Sequence, residues 1–320
     1  MHNENKKIKI AFFGSSEFSI PTFEYLLEDK DIDVISLITL PPAAKNRGKK
    51  ISNNIVHNFA LQKKFPEKNI YTPEKLRNNN EILSVLMSQN LDFIIVVAYG
   101  KIITQDIINV PKYEILNLHP SALPKYRGAA PIERAIENGE NEIDICIMKV
   151  EPGLDTGDVA TREKYVLDLK KGAKEIVPDV AKIGGKLMLE TIKKIIKNEI
   201  FFAPQINKTN SENTELYAKK IDKSELFIDL NNKNLNTKQV FNKIRAFDKS
   251  GCCYFIANNN QRIKIISCEM ENHDNSKNSM LGFNKENGFL YFIDGIIKPI
   301  VIQKEGGKPM SLKDYLNGLR

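Results

Sequence analysis

Cysteine is scarce in this sequence, and long apolar runs are absent. The four cysteines among 320 residues, Cys146, Cys252, Cys253 and Cys268, show no CxxC spacing. This excludes a disulfide-rich secreted scaffold and predicts a reducing, cytoplasmic compartment. No stretch approaches the 18 or more apolar residues of a membrane-spanning helix. The short apolar run at residues 8–13 predicts a first β-strand, because it is too short for the core of a signal peptide.

Patterns typical of dinucleotide or metal binding are also missing. The turn after the first predicted strand has a single glycine, Gly14, without the GxGxxG pattern, so a nicotinamide cofactor is not favoured. His2, His57 and His273 have no ligand-like spacing to cysteines or acids, and no metal site is predicted.

The charge balance is mildly basic. There are 47 Lys and Arg against 40 Asp and Glu, a formal net charge of +7. Such a surplus is compatible with a nucleic-acid partner and equally with an ordinary soluble surface. A hydrophobic content of 42% supports a sizeable core, and the length suggests two domains.

The first 200 residues alternate between aliphatic runs and helical patterns. Residues 34–40 and 92–98 are nearly continuous apolar stretches, and residues 82–87 have helical periodicity. Continuous aliphatic strands separated by helices predict a doubly wound parallel sheet with helices on both faces.

The pattern changes after residue 200. Residues 201–213 contain Pro, Asn, Ser and Thr without periodicity, which predicts a linker between a domain at 1–200 and a smaller one at 214–320. Beyond a helical stretch at 237–247, short β-like runs are separated by Asn and Gly turns. This spacing predicts a small antiparallel barrel or sandwich.

Two polar residues stand at the end of a predicted buried strand. Asn117 and His119 are two positions apart and therefore share a face, and ligands of parallel sheets bind beyond the carboxyl ends of the strands. A structural Asn and His near a loop is the alternative explanation for this pair.

A carboxylate lies between two glycines in the sequence PGLDTGD, at Asp155. An ordinary Asp-rich turn is one explanation. The other is a site in which Asn117 binds a developing oxyanion, His119 moves protons and Asp155 orients and charge-stabilises the imidazole. No Ser or Cys nucleophile is evident, so the attacking group in such a site belongs to the substrate.

The sequence HPSALPKYRGAAPIERAI, preceded by NL and followed by GLDTGD, resembles the 10-formyltetrahydrofolate-dependent formyltransferases. The similarity extends to IKIAFFGSSEFS, RGKK, FIIVVAYGKIIT, LYAKKIDKSELFIDL and GGKPMSLKDYL, and it favours the tRNA-directed members. The resemblance implies a Rossmann-like formyltransferase domain followed by a C-terminal antiparallel β-barrel (OB-like) domain that binds tRNA.

The resemblance also implies an activity. The formyl group of 10-formyltetrahydrofolate passes to the α-amine of methionine on initiator tRNA, through a tetrahedral intermediate and without a covalent enzyme adduct. Asn117 and His119 hold its oxyanion, His119 transfers protons and Asp155 assists it. The implied folate contacts are Val97, Ala98, Tyr99, Ser121, Ala122, Leu123 and Pro124.

A basic loop at residues 41–50 resembles the segment that family members insert against the tRNA acceptor end. Lys45, Arg47, Lys49 and Lys50 place four positive charges within six residues, which suits phosphate contacts. The resemblance further implies a monomer. Two alternatives stay open: an amino-sugar nucleotide formyltransferase that shares the catalytic trio, and a non-catalytic RNA-binding relative.

Some positions depart from the family pattern. Tyr126 stands where many relatives have an indole, Ala122 replaces a larger aliphatic residue, and Asn46 replaces a frequent glycine. Residues 246–251 occupy the place of an Asn-Pro-containing segment. None of these departures involves the proposed catalytic trio.

Overall fold

The computed structural model describes residues 7–45, 50–205, 216–257, 260–272 and 281–318. The chain divides into two compact units, and each is discontinuous in sequence. The first unit comprises 1–129, 144–165 and 177–217, and the second comprises 130–143, 166–176 and 218–320. No helix in the described ranges is long and apolar enough to cross a membrane.

The first unit is built on a seven-stranded sheet in the order β5-β2-β1-β6-β7-β8-β9. Helices connect most of its strands, as the alternating pattern predicts. Chain elements up to α6 are β1 (Ile8–Gly14), α1 (Ile20–Glu28), β2 (Ile32–Ile38), β3 (Ala43–Lys45), β4 (Lys50–Ser52), α2 (Ile55–Gln62), β5 (Ile70–Tyr71), α3 (Asn80–Ser88), β6 (Phe93–Val97), α4 (Gln105–Ile108), β7 (Glu114–His119), α5 (Pro131–Glu137), β8 (Glu142–Lys149), β9 (Val159–Val166) and α6 (Ala173–Ile196).

The centre of this sheet is parallel and buried. β1 pairs in parallel with β2 and β6, and β6 pairs in parallel with β7. All five residues of β6 are buried, because this strand has neighbours on both sides and packing on both faces. One apolar cluster joins Phe13, Ile94 and Tyr99 with side chains of α3 and α4. The Rossmann-like fold class predicted for the N-terminal part is confirmed.

One strand breaks the all-parallel expectation: β8 runs antiparallel to β7. The connection between them contains only α5, a helix of seven residues that spans about 10 Å. A parallel return needs a crossover of a dozen residues or more, and the connection at residues 120–141 is long enough for that, so its length alone does not decide the direction. The aliphatic run of β8 looks the same in either direction, so its orientation could not be predicted from the local pattern.

The second unit contains a six-stranded antiparallel sheet in the order β10-β11-β14-β13-β12, with β15 paired to β14. The small antiparallel β fold predicted for the C-terminal part is therefore confirmed. Within the described ranges the edge strands β10 and β12 do not pair with each other, so the sheet forms a half-barrel. Its elements are α7 (Thr237–Ala246), β10 (Tyr254–Ile256), β11 (Arg262–Asn272), β12 (Gly282–Phe283), β13 (Leu290–Phe292), β14 (Gly295–Lys304), β15 (Pro309–Ser311) and α8 (Leu312–Asn317).

A bidentate ion pair stabilises the second unit. Arg134 on α5 donates through Nη1 and Nη2 to the two carboxylate oxygens of Glu225, at 2.7 and 2.9 Å, and it also pairs with Glu137. The hydrogen bonds from Arg134 lower the pKa of Glu225 below its ordinary value. Glu225 therefore stabilises the fold above its unfolded pKa, and this contribution disappears as acid protonates it.

We expect Glu225→Gln to lower the free energy of unfolding by about 1 kcal/mol at pH 7. The difference in the free energy of unfolding between wild type and variant should shrink between about pH 5 and pH 3, because Glu225 of the wild type then loses its negative charge. Thermal unfolding of both proteins across this range measures the effect. A deficit that stays constant with pH would show that the carboxylate charge is not its cause.

Candidate active site

Strand β7 presents Asn117 and His119 on one face of the first unit's sheet. In the register, Asn117 lies opposite Val96 of β6, and His119 lies opposite Cys146 of β8. Leu118 points to the other face, where its side chain packs closely against Gly184 of α6. The packing of Leu118 thus fixes the face to which the two polar residues belong.

The Asn117 side chain is half-buried and makes no hydrogen bond to any described residue. A buried amide normally has a partner, because an unpaired amide costs free energy. The amide group of Asn117 is therefore available to a ligand at the carboxyl end of β7.

His119 is 4% exposed and is held through one ring nitrogen. Its Nε2 lies 3.0 Å from the carbonyl oxygen of Tyr126. Because a carbonyl can only accept a hydrogen bond, Nε2 carries the proton in this arrangement. Nδ1, the other ring nitrogen, faces Oδ2 of Asp155 at 3.7 Å.

Asp155 lies in the loop between β8 and β9, with its side chain 16% exposed. Its Oδ2 accepts a hydrogen bond from the backbone N–H of Gly128 at 2.9 Å. Its backbone is left-handed, with φ at +54°, a conformation that Asp tolerates better than most residues. The loop therefore brings the carboxylate to His119, so the structure brings together two of the predicted catalytic residues.

Residues 126–128 form the turn that contacts both His119 and Asp155. Tyr126 is buried with φ at +60°, and its backbone N–H donates to the carbonyl of Leu216 at 2.6 Å. Gly128 has a φ of +125°, which side chains rarely adopt. Such conformations persist only where surrounding contacts fix them, and they cluster at functional sites.

The predicted folate contacts Val97, Ala98 and Tyr99 lie at the end of β6, of which Val97 is the last residue, beside β7. Ser15 donates its hydroxyl to the carbonyls of Ala98 and Tyr99 at 2.8 and 2.7 Å, and Ser19 donates to that of Val97. Ala98 is exposed with φ at +45°. The Tyr99 ring is 1% exposed and packs into the core, so burial raises the pKa of its hydroxyl. Only the Tyr99 backbone lies at the strand end.

The other predicted folate contacts, Ser121, Ala122, Leu123 and Pro124, directly follow β7. Ser121 and Leu123 are buried, whereas Ala122 and Pro124 are half-buried. Ser121 donates its hydroxyl to the carbonyl of Lys125, and Arg162 donates to the carbonyl of Leu123 at 2.9 Å. These contacts fix the backbone of the segment and leave Ala122 and Pro124 as its accessible side chains.

Cys146 lies beside His119 but is not a nucleophile. Burial raises the pKa of its thiol to about 12, so the thiolate is negligible at neutral pH. Its Sγ donates to the carbonyl of Ser121 at 3.2 Å. Within the described ranges, no group of three His, Cys, Asp or Glu residues is arranged to hold a metal.

The described part of the predicted tRNA-binding loop contains two short paired strands. Strands β3 and β4 pair antiparallel, with Lys45 opposite Lys50. Arg47 and Lys49 lie outside the described residues. The backbones of Lys45 and Lys50 thus lie across from each other at one end of this strand pair.

Gln205 is a site residue that the sequence did not indicate. It falls in the stretch predicted as a linker, yet its side chain contacts the Asp155 loop and Arg127. Ala203 forms two backbone hydrogen bonds with Val159 of β9, which fixes the preceding backbone. An aperiodic Pro- and Asn-containing stretch carries no local pattern from which such contacts could be predicted.

The fold and the site define a class of protein in which a Rossmann-like sheet presents an amide, an imidazole and a carboxylate at the carboxyl end of one strand, a set suited to acyl transfer. The chain belongs to the formyl transferase family. Residues 8–192 match the family model described as formyl transferase, and residues 220–320 match that of the formyl transferase C-terminal domain.

Curated relatives are similar over nearly the whole chain. The methionyl-tRNA formyltransferase of Dictyoglomus turgidum is 36% identical, covering 98% of this chain and 97% of its own. The methionyl-tRNA formyltransferase of Clostridium tetani is 34% identical, and the match covers 97% of this chain and 96% of that protein.

Solved structures share the fold. A methionyl-tRNA formyltransferase from Clostridium thermocellum has a TM-score of 0.54 at 17% identity, covering 82% of this chain and 94% of its own. WlaRD, a sugar 3N-formyl transferase solved in the presence of dTDP and 5-N-formyl-THF, has a TM-score of 0.64 at 21% identity, covering 91% and 97%.

Proposed function

We propose that this formyl transferase moves the formyl group of 10-formyltetrahydrofolate to the α-amine of methionine on initiator tRNA. The observation that carries the proposal is the arrangement of Asn117, His119 and Asp155 around the end of β7. The acceptor is inferred from relatives of at least 30% identity over nearly the whole chain that are named for methionyl-tRNA.

Asn117 acts on the oxygen of the transferred group. Its amide, which has no hydrogen-bond partner among the described residues, donates to the formyl oxygen, where negative charge develops as the amine attacks. A fixed donor in a water-poor site stabilises that charge without having to reorganise during the reaction.

His119 and Asp155 manage the proton. The Tyr126 carbonyl holds Nε2–H, so Nδ1 takes up the proton that the attacking amine must lose. The same proton passes to N10 of the folate as the bond between N10 and the formyl carbon breaks, and tetrahydrofolate leaves as the amine. The Asp155 carboxylate, 3.7 Å from Nδ1, stabilises the imidazolium that results. The Gly128 N–H keeps this carboxylate in place.

The folate co-substrate fits beside this trio. The carboxyl ends of parallel strands are where ligands of such sheets bind, and residues 97–99 and 121–124 border that edge. Their backbones are fixed by Ser15 and Arg162, while Ala98 and Ala122 offer small side chains that leave room for a flat ring. The Asn117 amide at the same edge suits a formyl oxygen.

We further propose that residues 1–200 carry the chemistry and residues 214–320 hold the tRNA, in a cytoplasmic monomer. The free cysteines of the described part suit a reducing compartment. Light scattering after size exclusion should give a mass near 36.4 kDa, and twice that mass would exclude the monomer.

An amino-sugar nucleotide formyltransferase is the second candidate. It is favoured by the likeness to WlaRD, which covers 91% of this chain. That likeness rests on 21% identity, whereas the tRNA-directed relatives reach 36%.

The deciding experiment supplies 10-formyltetrahydrofolate with either charged initiator tRNA or a dTDP-amino sugar. Formyl-methionine release from the tRNA, without formylation of the sugar, is expected. Formylation of the sugar alone would replace the proposed acceptor, and tRNA binding without turnover would indicate the non-catalytic relative.

The basic loop gives a separate prediction. Replacing both Lys49 and Lys50 by Ala should raise the KM for tRNA and lower the slope of log KM against log salt by between about one and two. Lys182→Ala with Lys186→Ala, the same charge change on exposed positions of α6, is the control and should leave the slope unchanged. An unaltered slope in the loop variant would remove the loop from the tRNA interface.

A further inference from the structure

Gln205 connects three backbone segments of the first unit. Its Nε2 donates to the carbonyl oxygens of Asp155 and Gly157, at 2.9 and 2.7 Å. Its Oε1 accepts from Nε and Nη2 of Arg127, at 3.1 and 2.8 Å. Arg127 in turn lies between Tyr126, which holds His119, and Gly128, which holds Asp155.

The amide of Gln205 is fully used by these contacts. Both of its N–H bonds donate and both acceptor positions of its oxygen receive hydrogen bonds, which is the full capacity of a carboxamide. No other residue type of this length supplies two donors and an acceptor in this arrangement. The hydrogen bonds at this position therefore require a glutamine side chain, and another polar side chain would not satisfy them.

The Gln205 hydrogen bonds lie at a part of the Asp155 loop where the backbone is left-handed and closely packed. Asp155 is left-handed at φ +54°, and Gly157 packs so closely against the Lys149 carbonyl that a β-carbon would collide with it. The carboxylate itself is held by a single backbone donor, Gly128. Gln205 donates to the carbonyl oxygens on both sides of Thr156, those of Asp155 and Gly157. Through Arg127 it also joins this loop to the turn that contains Gly128.

We infer that Gln205 is a positioning residue for the transfer reaction: it fixes the Asp155 loop against the Tyr126–Gly128 turn, so that the carboxylate and the imidazole stay aligned. The inference rests on the proposed function for its catalytic consequence. Gln205 does not touch the reacting atoms. Its effect should appear in kcat, because misplacement of a catalytic group by about 1 Å lowers the rate up to a hundredfold.

Two variants separate its two kinds of contact. Gln205→Met keeps the length and loses all four hydrogen bonds. Gln205→Glu keeps the acceptor for Arg127 but turns an oxygen toward the carbonyls of Asp155 and Gly157. We expect kcat to fall between about tenfold and a hundredfold in both, with both KM values within about twofold of wild type.

The control is Gln89→Met, which removes a half-buried glutamine that accepts from Ser36 at 2.9 Å elsewhere in the same unit. It should retain the wild-type kcat. Normal turnover by Gln205→Glu would show that the contacts to the loop carbonyls are dispensable, and it would overturn the inference.

A double-mutant cycle distinguishes positioning from general support of the fold. Because Gln205 acts through Asp155, Gln205→Met should add less than about twofold to the loss of Asp155→Asn in single-turnover assays. If the double variant instead lost the product of the two single fold-losses in rate, Gln205 would act independently of Asp155. That result would contradict the inference.

Amide hydrogen exchange tests the inference without any turnover. Gln205→Met should speed exchange in residues 150–158 at least tenfold, with α3 and β6 unchanged, and Gln89→Met should not. Unchanged exchange in this loop would refute the role of Gln205. If the wild-type chain fails to formylate, the proposed function fails, whereas the exchange result still decides whether Gln205 holds the loop.

Discussion

Asn117→Ala is expected to lower kcat for formyl transfer about a hundredfold or more, with little change in the KM for tRNA. The amide is the donor on β7 that remains free, among the described residues, to meet an oxyanion. Removing it leaves the developing charge without its fixed partner, while the tRNA-binding surface and the Leu118 packing against α6 are untouched. The loss thus belongs to the transition state and not to substrate binding.

Single-turnover formylation with saturating charged initiator tRNA measures this loss. Asn109→Ala is the control, because Asn109 is exposed and its amide oxygen accepts a hydrogen bond from the side chain of Gln105, away from the site. Thermal unfolding should be nearly the same for both variants. Asn117→Ala with a near-normal kcat would remove Asn117 from the site.

The geometry of the candidate site could be predicted from sequence where it depends on local structure. Asn117 and His119 share a face because every strand has a period of two, and the aliphatic neighbours showed that this strand was buried. The PGLDTGD pattern indicated Asp155 only as one of two explanations, and the family resemblance favoured its pairing with His119 over an ordinary turn.

What could not be predicted depends on long-range contacts. Gln205 is distant in sequence from Asp155, and its surroundings have no periodicity, so nothing local indicates that its amide joins two loops. The direction of β8 could not be predicted either, because its aliphatic run looks the same in both directions. The antiparallel pairing of Lys45 with Lys50 could not be predicted either, because the sequence shows only a cluster of charges there.

Asp155→Asn is expected to lower kcat on the order of a thousandfold, more than any other substitution considered, while the fold is retained. Asparagine has the same shape, and its carbonyl oxygen can accept the hydrogen bond from Gly128 as Oδ2 does in the wild type. Only the negative charge beside Nδ1 of His119 is lost, so the imidazolium formed during transfer is no longer stabilised.

Two measurements test the prediction for Asp155→Asn. Asp33→Asn, an exposed aspartate on β2, makes the same charge change and should keep the wild-type kcat. The loss in Asp155→Asn should also persist at saturating concentrations of both substrates, because the carboxylate acts on the proton and not on binding. If activity returned fully at high folate concentration, Asp155 would instead be a binding residue, and the proton-transfer role of the pair with His119 would have to be abandoned.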